Sequence, residues 1–430
     1  MGRHRELLAR HRGVLPSWLT LYYDEPIEIV RGEGRRVFDG EGNRYLDFFG
    51  GILTTMVGHG VPEVVEAIRE QAGKVLHTST LYLSDPMVEL AELIVARSGI
   101  PDARVFFTNS GTEANDAALL LASTYRRSNQ ILAMRNSYHG RSFATMGVTG
   151  NRAWSASSLS PFAVSYLHSG YRFRSPFRAL DDDAFNQVCA DDMHDVILTC
   201  TAGDVAALIT EPIQGVGGFA VPPDGFFQGL EKVADEHGIL FISDEVQTGW
   251  GRTGEHYWGY EAHDVTPDII TFAKGVGNGL AIAGVIARAE IMNCVTANSI
   301  STFGGNPLAC AGALATLRYA HEHDLQGNAK RMGDRLMGRL KPLEAECGGV
   351  GEVRGKGLMI GIELVGDDGF TPAPQLAAAV LDGTRREGVL IGKGGLFGNC
   401  LRVAPPLSVT EDEADEAVEV IERVIRNHAS

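Results

Sequence analysis

A lysine closes the segment Asp268-Ile-Ile-Thr-Phe-Ala-Lys274, and Gly275, Gly277 and Gly279 follow it. The apolar run reads as a buried strand, which sets the Lys274 ammonium against a sheet end where its charge is costly. Its pKa is expected to fall, and a free amine there can condense with an aldehyde. A solitary lysine is more ordinarily a snorkelling or paired side chain, so its neighbours decide. Upstream, a second apolar run at 239–242 leads into Ser243-Asp244-Glu245-Val246-Gln247-Thr248-Gly249. A carboxylate at a strand's carboxyl end lies where open α/β sheets bind ligands. Facing a pyridine nitrogen, the Asp244 carboxylate would keep it protonated and make the ring an electron sink; the plain alternative is a helix N-cap.

Two further groups suit a phosphorylated aromatic ligand. Ser110-Gly111-Thr112 stands where an apolar run meets a helical pattern, so free backbone N–H groups and the helix dipole can hold an anion. Tyr138, in Tyr138-His139-Gly140-Arg141, follows the next run and is placed to stack on a ring; its ordinary reading is packing. The glycines after Lys274 have Leu280 where a dinucleotide fingerprint needs its third Gly, and no G-x-x-x-x-G-K-[ST] occurs, so neither nucleotide class is supported. His321 and His323 lack cysteine or carboxylate partners at ligand spacing, and no metal is expected.

These residues need a scaffold, and the pattern supplies one. Short apolar runs at 105–107, 131–134, 206–209, 239–242 and 269–272 alternate with helical stretches, the signature of βαβ units feeding a mostly parallel sheet. Ser110 and Glu113 form a capping box, with Ala114, Ala117, Ala118 and Leu121 at helical spacing, so a helix starts at Gly111 or Thr112. Thr410 and Glu413 cap another helix, whose apolar face is Ala414, Ala417, Ile421 and Val424. The stretch 151–202 is irregular and reads as a surface excursion between core strands.

At 430 residues the chain exceeds one core, and two units are expected. Residues 1–58 and 311–430 would build a smaller one around a large unit at 59–310. Apolar residues at 44% and charged residues at 21% fit a folded α/β protein. The net charge of -16, with no basic patch, argues against nucleic acid. Cys189, Cys200, Cys294, Cys310, Cys347 and Cys400 are scattered and read as reduced thiols. The basic, polar start of the chain lacks a secretory apolar core, and a cytoplasmic location is expected. Met1-Gly2 invites an acylation reading, which fails because Glu6 stands where the acceptor pattern wants Ser or Thr. No apolar stretch approaches the roughly 20 residues of a membrane helix.

Taken together, Asn109-Ser-Gly-Thr-Glu-Ala-Asn115, Tyr138-His-Gly-Arg141, Glu211-Pro-Ile-Gln-Gly215, Asp244-Glu-Val-Gln-Thr-Gly249, Ala273-Lys-Gly275, Thr302-Phe-Gly-Gly-Asn-Pro307 and Leu401-Arg-Val-Ala-Pro-Pro406 resemble the class III aminotransferases in order and spacing. Leu76-His-Thr-Ser-Thr80 and Arg354-Gly-Lys-Gly-Leu-Met-Ile-Gly361 resemble the alanine:glyoxylate aminotransferase 2-like branch. The resemblance implies fold type I: a large domain with a mainly parallel seven-stranded sheet, a smaller α+β domain from both termini, and a homodimer with shared sites that could pair into a tetramer. It implies pyridoxal 5'-phosphate (PLP) as cofactor, with Lys274 as Schiff-base lysine and proton shuttle. Asp244 would partner the ring nitrogen, Gln247 the ring hydroxyl, and Tyr138 would stack on the ring. Ser110, Gly111 and Thr112 would hold the phosphate with Thr302 of the other subunit, Glu211 would orient Gln247, and His139 and Val246 would complete the cofactor set. Arg402 would bind a substrate carboxylate, and Tyr22, Ile52 and Arg141 match donor-contacting positions. Several relatives place a glutamate where this chain has Val216, so the gate that masks the arginine is missing. The implied reaction moves an amino group from a small amino acid to a 2-oxoacid such as pyruvate or glyoxylate. The alternative within the family is a PLP-dependent lyase acting on an amino-phosphate or aminophosphonate.

Overall fold

The structure, a computed structural model, describes residues 3–429; Met1 and Gly2, on which the acylation reading turned, lie outside them with Ser430. A helix at Arg3–Val14 precedes three strands, β1 (Ile29–Glu33), β2 (Arg36–Asp39) and β3 (Arg44–Asp47). The central sheet then collects β4 (Ala103–Thr108), β5 (Gln130–Met134), β6 (Ala163–Leu167), β7 (Ala207–Thr210), β8 (Leu240–Asp244), β9 (Ile269–Phe272) and β10 (Ala283–Arg288). Their order is β4-β10-β9-β8-β7-β5-β6. The pairings from β9 through β6 are parallel, and β10 runs antiparallel to both β9 and β4. Every residue of β7, β8 and β9 is buried, which is why these strands read as unbroken apolar runs.

The helix after β4 spans Gly111–Arg126, and the Ser110 side chain accepts the Glu113 N–H at 3.3 Å as the capping pattern requires. The stretch 151–202 departs from the expected excursion. It contributes β6, the sheet edge beside β5, and a helix at Asp182–Cys200 whose Phe185, Cys189, Met193 and Ile197 enter the core. An edge strand is half-covered, so β6 carries the mixed sequence Ala-Val-Ser-Tyr-Leu and not an apolar run.

Beyond the central sheet lie β11 (Val350–Lys356), β12 (Met359–Leu364), β13 (Val389–Leu390), β14 (Gly392–Gly394) and β15 (Cys400–Val403). Four of them form an antiparallel sheet in the order β11-β12-β15-β14. The fifth, β13, pairs in parallel with β3, so segments from the two ends of the chain share one sheet. Thr410 and Glu413 exchange reciprocal hydrogen bonds of 3.1 and 3.3 Å and cap the closing helix at Glu411–Ala429, which buries Ala414, Ala417, Ile421 and Val424. The helix Pro307–Glu322 passes unbroken through residue 310 and packs on the helix Pro62–Lys74.

Candidate active site

The carboxyl ends of β4, β5, β7, β8 and β9 converge on a cavity of about 340 Å³. Its lining holds Ser110, Gly111, Thr112, Tyr138, His139, Glu211, Asp244, Val246, Gln247 and Lys274. Residues up to 164 positions apart in sequence, from Ser110 to Lys274, meet because each ends or follows a strand of one sheet.

Asp244 is buried, and its two oxygens are engaged differently. Oδ2 accepts Asn115 Nδ2 at 2.8 Å and meets His139 Nδ1 at 2.7 Å, whereas Oδ1 accepts only the Val246 N–H at 3.1 Å. Asn115 is itself oriented, giving its amide also to the His139 carbonyl at 2.9 Å and accepting the Thr271 hydroxyl at 2.7 Å. A carboxylate held by this many donors stays aimed.

Lys274, separated from β9 by Ala273 alone, has φ of 50°, a left-handed conformation that a non-glycine residue adopts at a cost. Burial pushes its pKa below the ordinary lysine value; Asp244 and Glu211 oppose the shift and the Arg402 cation adds to it. No hydrogen bond or ion pair occupies Nζ among the described residues. An unpaired amine with a depressed pKa has the properties of a nucleophile.

Glu211 is buried, and its carboxyl is pushed up to about 7 by loss of solvation, with Asp244 adding to the rise and His139 opposing it. It makes no hydrogen bond to Gln247. Instead Oε1 accepts the Tyr138 N–H at 2.9 Å and Oε2 the Gly215 N–H at 2.8 Å. Gly215 in turn packs so tightly on the Gln247 amide that a Cβ there would collide with it, so Glu211 reaches Gln247 only through backbone. Tyr138 is half-buried and meets Trp154 edge-on at 5.5 Å, and burial raises its phenol pKa.

A ring carrying a phosphate fits this cavity. Gln247 Oε1 and His139 Nε2 are buried polar atoms without a partner, which is costly unless a ligand meets them. At the other end, the Gly111 and Thr112 N–H groups open a helix beneath a capping serine, where an anion is stabilised. The approach is close, since a Cβ on Gly111 would stand 3.1 Å from Val246.

The remaining sequence-picked residues lie outside the cavity lining. Arg402 is 3% exposed; Nη1 donates to the Gly215 carbonyl and Nε to the Lys393 carbonyl, each at 3.2 Å. The guanidinium lies over the rings of Phe49 at 4.8 Å and Phe219 at 5.4 Å. No carboxylate pairs with it among the described residues, and burial lowers its pKa. Tyr22 stacks on Phe49 at 5.9 Å, so the N-terminal segment covers this arginine. Ile52 sits in a turn where Gly50, Gly51, Ile52 and Leu53 all have φ between 54° and 67°. Asp47 holds that strained turn by accepting the Gly50 N–H at 2.8 Å, and Thr54 beyond it enters the cavity. Arg141 is exposed, its guanidinium 5.1 Å from the Trp18 ring, and Thr302 is exposed before the helix Pro307–Glu322.

Asn115 and Thr271 escaped the sequence reading. A signal existed for Asn115: it lies four residues after Gly111, on the buried alanine face of the same helix, where an amide needs a partner. Leu280, Ala281 and Ile282 also line the cavity, because β10 turns back antiparallel beside β9.

Comparison with known proteins agrees with this geometry. The family model for class-III aminotransferases matches residues 22–425. An Arabidopsis thaliana protein named alanine–glyoxylate aminotransferase 2 homolog 2, mitochondrial, is 39% identical across 97% of this chain and 86% of its own length. The human mitochondrial alanine–glyoxylate aminotransferase 2 is 36% identical over 99% and 87%. Among solved structures, a PLP-bound amine transaminase from an uncultivated Pseudomonas species superposes with a TM-score of 0.88 at 32% identity, covering 94% of this chain and 96% of that one. A phospholyase from Arthrobacter in complex with phosphoethanolamine gives 0.89 at 32% identity, covering 97% and 99%. With a match over nearly its whole length, a sheet of this topology and a cavity that fits the cofactor, the chain belongs to the class III aminotransferases, fold type I enzymes that work with pyridoxal 5'-phosphate.

Proposed function

We propose that this enzyme takes an amino group from a small amino acid of the alanine, β-amino acid or 4-aminobutyrate type and passes it to a 2-oxoacid such as pyruvate or glyoxylate, in a ping-pong sequence. The observation that carries the reading is the buried Arg402 guanidinium, which has carbonyl and ring contacts but no carboxylate. An arginine left without its counter-charge in a dry setting is costly, and a substrate carboxylate that meets its planar fork removes the cost. Val216 supplies no acid where a glutamate gate would stand, so no glutamate on this segment masks the arginine.

When bound, PLP supplies the aldehyde that carries the amino group and a ring that withdraws electrons from the reacting carbon. The residues then divide the work. Lys274 holds the cofactor and moves a proton at its Nζ, a role its lowered pKa supports. Asp244 keeps the pyridine nitrogen protonated, with Oδ1 the less engaged oxygen. Gln247 would hold the ring hydroxyl and Tyr138 and Val246 would flank the ring, while His139 and Glu211 brace Asp244 and the Gly215 backbone. Ser110, Gly111 and Thr112 would hold the phosphate together with Thr302 of a second copy. Tyr22, Ile52 and Arg141 border the substrate.

Exposed apolar side chains at Leu81, Tyr82, Leu83, Ile300 and Phe303 support a homodimer that shares its sites. The buried free thiols Cys189, Cys310, Cys347 and Cys400 suit a reducing compartment such as the cytoplasm. No helix among the described residues is long and apolar enough to cross a membrane.

A donor panel of alanine, β-alanine, 3-aminoisobutyrate, 4-aminobutyrate and ornithine, against pyruvate, glyoxylate and 2-oxoglutarate, tests the reading. Turnover that requires a 2-oxoacid supports amino transfer. Phosphate release from phosphoethanolamine with no 2-oxoacid present would replace it with lyase chemistry.

A further inference from the structure

The motif Arg354-Gly-Lys-Gly-Leu-Met-Ile-Gly361 has no part in the chemistry described so far, yet it contains one of the most engaged side chains in the molecule. Arg354 is 7% exposed. Its Nη2 donates to the Gly218 carbonyl at 2.8 Å and its Nε to the Phe219 carbonyl at 3.2 Å. Its charge is balanced by Glu363 at 3.0 Å and Glu352 at 2.6 Å. The same Nη2 lies 3.4 Å from Cys400 Sγ, on β15, two residues before Arg402.

The two carbonyls belong to a turn with two successive left-handed residues. Gly218 has φ of 99° and Phe219 has φ of 52°, and the second is strained for a residue with a Cβ. The Gly218 and Phe219 N–H groups both point back to the Gly215 carbonyl, at 3.2 and 3.4 Å. That carbonyl also receives Arg402 Nη1 at 3.2 Å, and the Phe219 ring lies beneath the Arg402 guanidinium at 5.4 Å. Two of the contacts that aim Arg402 are therefore parts of the turn that Arg354 clamps. Register reinforces the link, because Gly361 pairs with Arg402 across β12 and β15, and a Cβ on Gly361 would stand 2.5 Å from the Gly218 carbonyl.

We infer that Arg354 is a positioning residue for substrate carboxylates: it pins the strained Gly218–Phe219 turn and so fixes the direction of the Arg402 guanidinium. This rests on the proposed reading of Arg402 as the carboxylate anchor. Lysine in its place keeps the charge but cannot reach both carbonyls with one planar fork.

The test compares wild-type holoenzyme with Arg354→Lys, Phe219→Leu and Arg402→Ala. KM and kcat are measured for alanine and for a carboxyl-free amine, 1-phenylethylamine, with pyruvate, itself a carboxylate, held saturating for every variant, and the Kd of propionate is measured by calorimetry. Arg354→Lys should raise the alanine KM and the propionate Kd by about tenfold, with 1-phenylethylamine kinetics and cofactor absorbance held within about twofold. Phe219→Leu keeps apolar filling while removing the ring face, and should show the same selective pattern even where the lysine variant folds poorly. Equal losses with both donors, or unchanged alanine and propionate values in a folded variant, overturn the inference. Arg402→Ala separates the two ideas: if it weakens alanine and propionate while Arg354→Lys and Phe219→Leu do not, only the positioning role falls. If Arg402→Ala itself leaves them unchanged, the anchor reading falls.

Discussion

Asp244 Oδ2 and His139 Nδ1 stand 2.7 Å apart, both buried, and the far ring nitrogen of that histidine has no partner. With Asn115 on the same oxygen, the carboxylate is anchored on one side and leaves Oδ1 the freer one. Asp244→Ala should therefore still bind PLP through the phosphate end of the site while turnover falls about 100-fold, the scale of losing one preorganised electrostatic partner. Cofactor absorbance together with single-turnover rates checks this, and normal turnover would remove Asp244 from the ring-nitrogen role.

Lys274 should be the point of covalent attachment. The purified enzyme should be yellow, and borohydride should fix the cofactor to the peptide that contains Lys274, as read by mass spectrometry. Lys274→Ala should lose both the borohydride-fixed adduct and ~10³-fold or more of its turnover, the scale of a lost positioned proton carrier. A variant that transaminates at the wild-type rate would end this assignment.

Arg402→Ala should lower kcat/KM for alanine on the order of 100-fold, taking about 3 kcal/mol for a lost charge-assisted contact. Steady-state kinetics decides it, and a wild-type enzyme that favours a carboxyl-free amine over alanine would speak against Arg402 as the anchor.

Thr302 is exposed on its own chain and outside the cavity, so the phosphate role proposed for it requires a second copy. Refolding Lys274→Ala together with Thr302→Ala should give mixed dimers with both defects in one site and an intact second site. Activity above either parent is expected, and none would count against shared sites.

Glu245 gives a pH signature independent of catalysis. Burial pushes its carboxyl up to about 7, against opposing hydrogen bonds from Thr248, Gly259, Tyr260 and Ser243. A raised acid binds its proton more tightly when folded, so its contribution is complete below the unfolded value near 4.5 and fades as pH rises to about 7. The contribution at stake is on the order of 3 kcal/mol. Glu245→Gln should flatten the decline of Tm between pH 5 and pH 8, the range set by those values. An unchanged slope would assign the decline to other groups.

Much of the site was legible because its residues sit next to local signals. Ser110 and Glu113 announce the helix that carries Gly111 and Thr112, and the apolar runs before Asp244 and Lys274 announce buried strands. Elements with weak signals were lost: β6 is an edge strand of mixed polarity, and the helix Asp182–Cys200 opens with two aspartates behind an Asp181 cap, a run that reads as loop. Glu211 was legible as a site residue, but its bonds were not, because they go to backbone N–H groups whose direction depends on how two loops pack.

What the sequence determined by itself is therefore the parts: the strand ends, the capped helices and the acid, amine and arginine side chains. Capping, apolar periodicity and turn chemistry are contacts between near neighbours, and they are written where they act. The tertiary structure alone decided the assembly of those parts. Arg402 meets a carbonyl 187 residues away, Arg354 holds a turn 135 and 136 residues distant, and β10 inserts antiparallel between β4 and β9. Those contacts form only when the whole sheet order is closed, since their partners are backbone groups that every residue possesses and no residue type marks.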